Sequence, residues 1–382
     1  MLAPVPKTKR DVMFWGWVLH CEDDGSGMEF RKRSLRTDGR TILEMGTQKP
    51  REYDFTGVVI PTLEDAHTHL ADRKLRVEPG TPIEKVVRPP DGLKHQYLGA
   101  ASGQEIEGSL REGLEDLVRG GVARTHEFRE GGIAGVNLFR KALGGLPPER
   151  SQHIDPVVLG RPGSQTTRPA DEKDFWEKLR RLLARCDGLG LSAISDGDAR
   201  WNVEVARFAR AQGKRVEVHC SESQREPIEA VLEAGAQQIV HMIHGTRDDF
   251  KALVNRGIPV AVCTRSNEFF GLRAPVELMV ECEIDIRLGT DNAFLGAPDM
   301  FEEARAFARV HKARAKITAF QILRSIVVKK GINEAGVIAP RESQPPDFLV
   351  VGIQTERPER DLIAKARRED VLAIVGVQRR SE

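Results

Sequence analysis

Long apolar runs, paired cysteines and a surplus of either charge are all missing from this chain of 382 residues. The first apolar stretch, Val12 to Leu19, is eight residues long. A bilayer span needs about 20, so no segment reads as a membrane helix. No small-residue cleavage site follows it either, and it reads as a buried strand rather than a signal peptide. The five cysteines, at 21, 186, 220, 263 and 282, form no C-x-x-C pair. An odd, scattered set argues against a disulfide framework or a zinc ribbon and suits the reducing cytoplasm. Basic and acidic residues number 58 and 57, for a net charge of +1. Neither half is strongly basic, so nucleic acid and membranes are not expected partners.

Several catalytic signatures are absent as well. The chain has no G-x-S-x-G elbow, no P-loop and no nucleophilic-cysteine motif. The zinc signature H-x-E…P-C-x-x-C is missing, and no G-x-G-x-x-G follows the first strand of the central region, which counts against a doubly wound open sheet.

What is present is a soluble, folded composition, 40% apolar and 30% charged, in a chain long enough for a large barrel with an appendage. From about residue 57 to 330, short apolar runs alternate with longer helical stretches. The runs are "GVVIPTLEDAH", "GGVARTHEF", "IDPVVLGRP", "GLSAISD", "KRVEVHC", "QQIVHMI", "GIPVAVCT" and "IDIRLGTD". Segments such as "GQEIEGSLREGLEDLVRGG" and "DDFKALVNRG" separate them, several ending in a glycine suited to a helix C-cap. Eight βα units predict an α/β fold, a (β/α)8 TIM barrel over residues 57–334. Strand-like pieces flank it at both ends: "MFWGWVL", "GMEFRKRSL" and "TILEMG", then "PPDFLVVGI" and "DVLAIVGVQ". They predict one small β domain built from residues 1–56 and 335–382, with "EDDGSG" as a turn and "IAPRESQPP" as a linker.

Polar residues at the strand ends carry the chemistry. His67 and His69 lie two apart in a strand and so face the same way, at the end of a barrel strand where catalytic groups sit. A lone H-x-H is more often structural than a metal site. Three later strands alter that balance: "KRVEVHCSES" ends in His219 with Glu222 three residues on, "QQIVHMIHG" in His241, and "DIRLGTDNAF" in Asp291. Four strands delivering four histidines and an aspartate to one rim favour a metal site over coincidence.

This order of residues resembles the amidohydrolase superfamily. "DAHTHL", "SNEFFG" and "LGTDNAF" are similar to its cytosine deaminase and chlorohydrolase branch; "RPPDGLKH", "FREGG" and "VVLGRP" look closer still to archaeal metal-dependent hydrolases related to cytosine deaminase. The resemblance implies that His67, His69, His219 and Asp291 are metal ligands and that His241 contacts the metal-bound water or the substrate. Its binuclear branches use a lysine from the fourth strand; "GLGLSAISDGD" has none, which implies one divalent metal ion, Zn2+ or Fe2+. It also implies hydrolytic deamination of a nucleobase- or nucleoside-like heterocycle, by an enzyme acting on carbon–nitrogen bonds other than peptide bonds. Barrels of this kind are often homo-oligomers.

A metal lowers the pKa of bound water toward about 7. Asp291 would take the proton, and Glu222 would act as general acid toward a ring nitrogen or the leaving amine. Lys94, His95, Glu127, Arg129 with Glu130, and Arg161 are candidate contacts to a small-molecule substrate, and each reads equally well as an ordinary ion-pair residue. Ser266 and Asn267 either shape a loop near the mouth or form a plain turn. Hydrolysis of a cyclic amide or displacement of another leaving group are the alternative reactions, and a non-catalytic ligand-binding barrel is the alternative class.

Overall fold

The chain folds around two sheets in a computed structural model that describes residues 11–21, 27–162, 168–328 and 347–376. From the N-terminus come β1 (Val12–Cys21), β2 (Met28–Thr37), β3 (Ile42–Gly46) and β4 (Phe55–Pro61). Then follow β5 (Leu63–His69), β6 (Val122–Arg129), β7 (Val157–Gly160), β8 (Gly188–Leu191) and β9 (Arg215–Cys220). Next are β10 (Gln238–His241), β11 (Val260–Val262), β12 (Ile286–Leu288) and β13 (Asp291–Asn292). The C-terminal segment adds β14 (Asp347–Val351) and β15 (Val371–Gly376).

Strands β5 to β12 lie side by side in chain order, all parallel, and β13 sits on the other flank of β5. Only Gly289 and Thr290 separate β12 from β13. The two are one interrupted eighth strand, pairing with β11 on one side and with β5 on the other, and they close a (β/α)8 barrel. Glycine is required at the interruption: a Cβ on Gly289 would lie 2.8 Å from the Cβ of His67. Helices pack outside on amphipathic faces. In Gly103–Arg119, capped by the Ser102 side chain accepting from Glu105 N, the residues Ile106, Leu110, Leu114 and Leu117 are buried at helical spacing.

The remaining strands form a mixed sheet in the order β15-β14-β4-β1-β2-β3, so both ends of the chain build it. Here the structure departs from the simplest reading of "GVVIPTLEDAH". The run divides between the sheets, with β4 in the terminal sheet and β5 in the barrel. Its unbroken apolar character follows from that placement. Val58 and Ile60 pack into the barrel-side core, while Val59 faces the other way onto Phe14, Val18, Leu35 and Val350. A strand buried on both faces loses the polar alternation that would reveal a boundary. At the crossing, Thr62 Oγ1 donates to Asp347 Oδ1 at 2.6 Å. The linker expected over 338–346, the boundary expected at 335 and most of the expected "EDDGSG" turn lie outside the described residues. Among those described, no helix is long and apolar enough to cross a membrane.

Inside the barrel, Ala66, Phe128, Leu159, Val240, Ala261 and Cys263 form an apolar floor. Gly190 belongs to the same arrangement, because a Cβ there would meet the Phe128 ring at 2.5 Å. The strand that lacks a lysine thus uses the absence of a side chain to seat an aromatic ring, and that ring stacks edge-on to His67 with centroids 4.4 Å apart. Gly190→Ala should therefore overpack the floor and lower stability by about 1–3 kcal/mol. A urea-unfolding midpoint indistinguishable from wild type would show that Phe128 has room to move.

Candidate metal centre

The geometry of the mouth follows from strand ends and register. His67 and His69 are the last alternate residues of β5, His219 lies near the end of β9, His241 ends β10, and Asp291 opens β13. Register sets Val240 beside His219 and Asp291 beside Thr68. The structure brings all five groups together. His219 Nε2 lies 3.1 Å from His67 Nε2 and 3.4 Å from His69 Nε2, and Asp291 Oδ1 lies 3.4 Å from His67 Nε2. Non-glycine residues with positive φ cluster at the same rim: Ser221 (52°), His241 (76°), Met242 (52°) and Asp291 (64°). Such backbone strain costs of order 1–3 kcal/mol per residue and collects at functional sites.

One ring is hydrogen-bonded from behind and a second faces a carboxylate there. His219 Nδ1 lies 2.8 Å from the Leu191 carbonyl oxygen, and His69 Nδ1 lies 2.9 Å from Glu130 Oε1. A proton on each Nδ1 leaves each Nε2 as a lone pair aimed at the centre. Burial keeps the rings neutral: it takes His69 down to about 3, His219 well below the usual histidine range, and His67 down as well. Burial works against the charge of Asp291, yet the hydrogen bond with His67 and the fields of His241 and His67 hold it well below the ordinary carboxylate value. Ser266 Oγ donates to Asp291 Oδ2 at 2.6 Å, which leaves Oδ1 for the cluster. Asp65, two residues before His67, accepts from Thr290 N (2.9 Å) and Thr290 Oγ1 (2.6 Å) and pins the closing strand.

With the proton on Nδ1 of each ring, the lone pairs of His69 Nε2 and His219 Nε2 face one another at 3.4 Å and repel unless a cation lies between them. Three imidazoles and an ionised carboxylate form a donor set that fits a divalent metal, and His67, His69 and His219 have ligand atoms within 4.8 Å of one another.

A cavity of about 300 Å³ opens above this cluster, with His69, His219, His241 and Asp291 in its wall. Glu222 also lines it, with Oε1 3.2 Å from His241 Nε2 and its carboxyl raised above the usual value by burial. Of the candidate substrate contacts, Lys94 and Arg161 line the cavity, whereas His95, Glu127 and Arg129 are not among its lining residues. His95 Nε2 faces the Val87 carbonyl at 3.1 Å, and burial takes it down to about 4. Glu127 is fully buried, accepts from Leu70 N, and is pushed up to about 8 by burial. Arg129 bridges Glu127 Oε1 (2.9 Å) and Glu130 Oε2 (3.0 Å). Sequence reading missed the supporting roles of Asp65 and Glu130. The signal for Asp65 was a carboxylate two before His67, on the same face of a strand buried throughout.

Beneath the cluster, toward the N-terminal strand ends, lies a buried layer of charge. His126 Nδ1 is 2.7 Å from Glu217 Oε1 and its Nε2 is 3.0 Å from Glu64 Oε1, so both nitrogens donate and the ring is an imidazolium. Burial opposes that charge, but the two carboxylates outweigh it and raise the His126 pKa.

A closed parallel barrel with a metal-binding donor set at the C-terminal mouth of its strands defines a metal-dependent hydrolase of the TIM-barrel class. The Amidohydrolase family model matches residues 58–326, and the chain belongs to that family, as a hydrolase acting on carbon–nitrogen bonds other than peptide bonds. A Methanothermobacter thermautotrophicus protein named "Putative aminohydrolase" is 30% identical over 337 residues, 83% of this chain and 85% of that one. An adenosine deaminase from Xanthomonas campestris with bound zinc superposes with a TM-score of 0.71 at 17% identity, over 98% of this chain and 94% of that one. A guanine deaminase from C. acetobutylicum with bound guanine gives 0.68 at 13%, over 96% and 99%. At such identities the two structures speak to the fold alone.

The charge layer makes a prediction with a definite sign. The His126 pKa is raised on folding, so its stabilisation is complete below the ordinary value of 6.5 and is lost as pH rises through the folded value. Replacing His126 with Gln removes one cationic partner from each of two buried carboxylates, leaving Glu217 with Arg215 and Glu64 with Arg287, and should cost about 1–3 kcal/mol at pH 6. The deficit relative to wild type should shrink at pH 9. Urea unfolding at both values measures it, and a deficit that grows with pH would exclude the imidazolium.

Proposed function

We propose that this protein deaminates a nucleobase- or nucleoside-like nitrogen heterocycle, hydrolysing an amidine-type C–N bond with release of ammonia. The observation that carries the reading is the pairing of a proton-holding carboxyl, Glu222, with His241 directly beside the imidazole–aspartate cluster in one cavity. The aminohydrolase name of its relative supports the choice of reaction.

In this reading His67, His69, His219 and Asp291 hold one zinc ion. Separations of 3.1–3.4 Å among these atoms, and of 3.9 Å between Asp291 Oδ1 and His69 Nε2, support donors that would share one ion. When bound, the metal supplies Lewis acidity and lowers the pKa of water toward about 7.

The chain's own groups supply the rest. Asp291, ionised and oriented by Ser266, accepts a proton at Oδ1 from the attacking water. Glu222 keeps a proton at a pH where an exposed carboxyl has lost it, and delivers it to a ring nitrogen as water adds to the carbon. His241, 3.2 Å from Glu222 Oε1, orients that carboxyl and faces the oxygen on which negative charge develops. Asp291 then passes its proton to the amino group, which leaves as ammonia, while Glu222 takes back the remaining hydroxyl proton, so the carbon keeps the water oxygen as a carbonyl. Lys94 and Arg161 contact polar substituents of the substrate. The free cysteines Cys186, Cys220 and Cys263, all buried, suit a cytoplasmic setting.

Ammonia release from a panel of cytosine, guanine, adenosine-type and pterin-like compounds should identify a substrate. Glu222→Gln should retain the metal and lose about 10²–10⁴-fold in kcat. Because the raised carboxyl must be protonated to act, wild-type turnover should fall as pH rises through its value. Full activity in Glu222→Gln would remove Glu222 from the mechanism. Metal-loaded protein silent across the panel would overturn deamination in favour of another C–N hydrolysis.

A further inference from the structure

Glu130 is the second residue after Phe128 and lies just beyond β6, yet it is as buried as a core side chain, 7% exposed. Its two oxygens meet four nitrogen partners. Oε1 is 2.9 Å from His69 Nδ1, 3.1 Å from Lys94 Nζ and 3.5 Å from Arg161 Nη1, and Oε2 is 3.0 Å from Arg129 Nη2. Lys94 continues the chain of contacts across the mouth, donating to Asn292 Oδ1 at 2.9 Å, one residue beyond Asp291.

We infer that Glu130 is the positioning residue of the metal centre: it fixes the Nδ1–H tautomer and ring plane of His69, and through Lys94 ties that ligand to the strand that carries Asp291. The inference rests on the metal-centre reading above and deepens it. Three observations carry it. The imidazole has two ring nitrogens, and a carboxylate on one dictates that the other is the bare donor. His219 receives the same orientation from a main-chain oxygen, a partner that no substitution of a side chain can remove, whereas that of His69 depends on one side chain. Finally, Arg129 and Lys94 hold the carboxylate from both sides, so it cannot turn away from His69 without breaking two charged contacts. Losing a carboxylate partner of this kind usually weakens metal binding by about 10–100-fold.

The test is zinc affinity, read by competition with a chromophoric chelator, in wild-type protein and in Glu130→Gln, Glu130→Asp and Glu130→Ala. Glu130→Gln and Glu130→Ala should bind zinc about 10–100-fold more weakly, and Glu130→Asp should recover part of the loss. Unchanged zinc affinity in folded Glu130→Gln would overturn the inference. Should these variants fail to fold, 15N histidine spectra of the wild-type holoprotein decide the matter instead. A His69 ring protonated on Nδ1 and metal-bound through Nε2 supports the inference, and metal on Nδ1 overturns it. Wild-type protein that takes up no zinc, cobalt or iron would overturn the metal-centre reading itself, and this inference with it.

Discussion

Neutral imidazoles turned toward one point, with the lone pairs of His69 and His219 face to face, are the constraint on which the rest of the mouth depends. Burial makes the rings neutral, and neutrality makes them donors rather than cations. It also makes the cluster repulsive as long as nothing positive occupies its centre. A protein gains nothing in stability by crowding the bare nitrogens of His69 and His219 to 3.4 Å. The arrangement persists because the barrel over-determines it, with His67 and His69 on β5, His219 on β9 and His241 on β10, strands whose places are set by hydrogen bonds to their neighbours. The positive φ values at Ser221, His241 and Asp291 belong to the same account, since they lie where the chain leaves a strand and must turn a side chain inward.

Around that centre the polar residues divide by task. Asp65 and Ser266 fix the closing strand and its aspartate. The Leu191 carbonyl and Glu130 fix two rings. Lys94, bridging Glu130 and Asn292, links the first barrel strand to the last across the opening. None of these contacts is exposed enough for water to replace it cheaply, so each acts at the low effective dielectric where a charged hydrogen bond is strong and an unpaired one costly.

The barrel and the principal site residues were legible in the sequence because each is a local signal. Strand ends reading H-x-H, V-x-V-H-C, I-V-H and G-T-D mark the mouth, and their order alone brings His67, His69, His219, His241 and Asp291 to one rim. The split of "GVVIPTLEDAH" was not legible, since Val58, Val59 and Ile60 are buried on both faces and show no alternation. The partners of the substrate candidates were also hidden. Glu127 and Arg129 look like mouth residues on sequence position, but which way a charged side chain turns at the end of a strand depends on its partners, here Thr68 and Leu70, tens of residues away, for Glu127, and Glu127 and Glu130 for Arg129. Glu130 was read as a substrate candidate for the same reason: its contact with the metal cluster comes from His69, sixty-one positions earlier.

One further step joins the two buried polar layers of the barrel. The upper one gathers neutral histidines and needs a cation; the lower one, Glu64, His126 and Glu217, already contains its cation as a protonated ring. Between them lies only the apolar floor of Phe128 and its neighbours, seated by Gly190. The same residue type therefore carries opposite charge states in one barrel, decided by what faces its second nitrogen. His126 meets a carboxylate at both nitrogens and stays charged. His69 meets a carboxylate at one nitrogen only and is left with a lone pair to give. The floor keeps the proton of the lower layer away from the donors of the upper one, since an apolar layer offers no relay of hydrogen-bonding groups. That separation makes the upper layer a metal-binding site and the lower one a structural ion cluster.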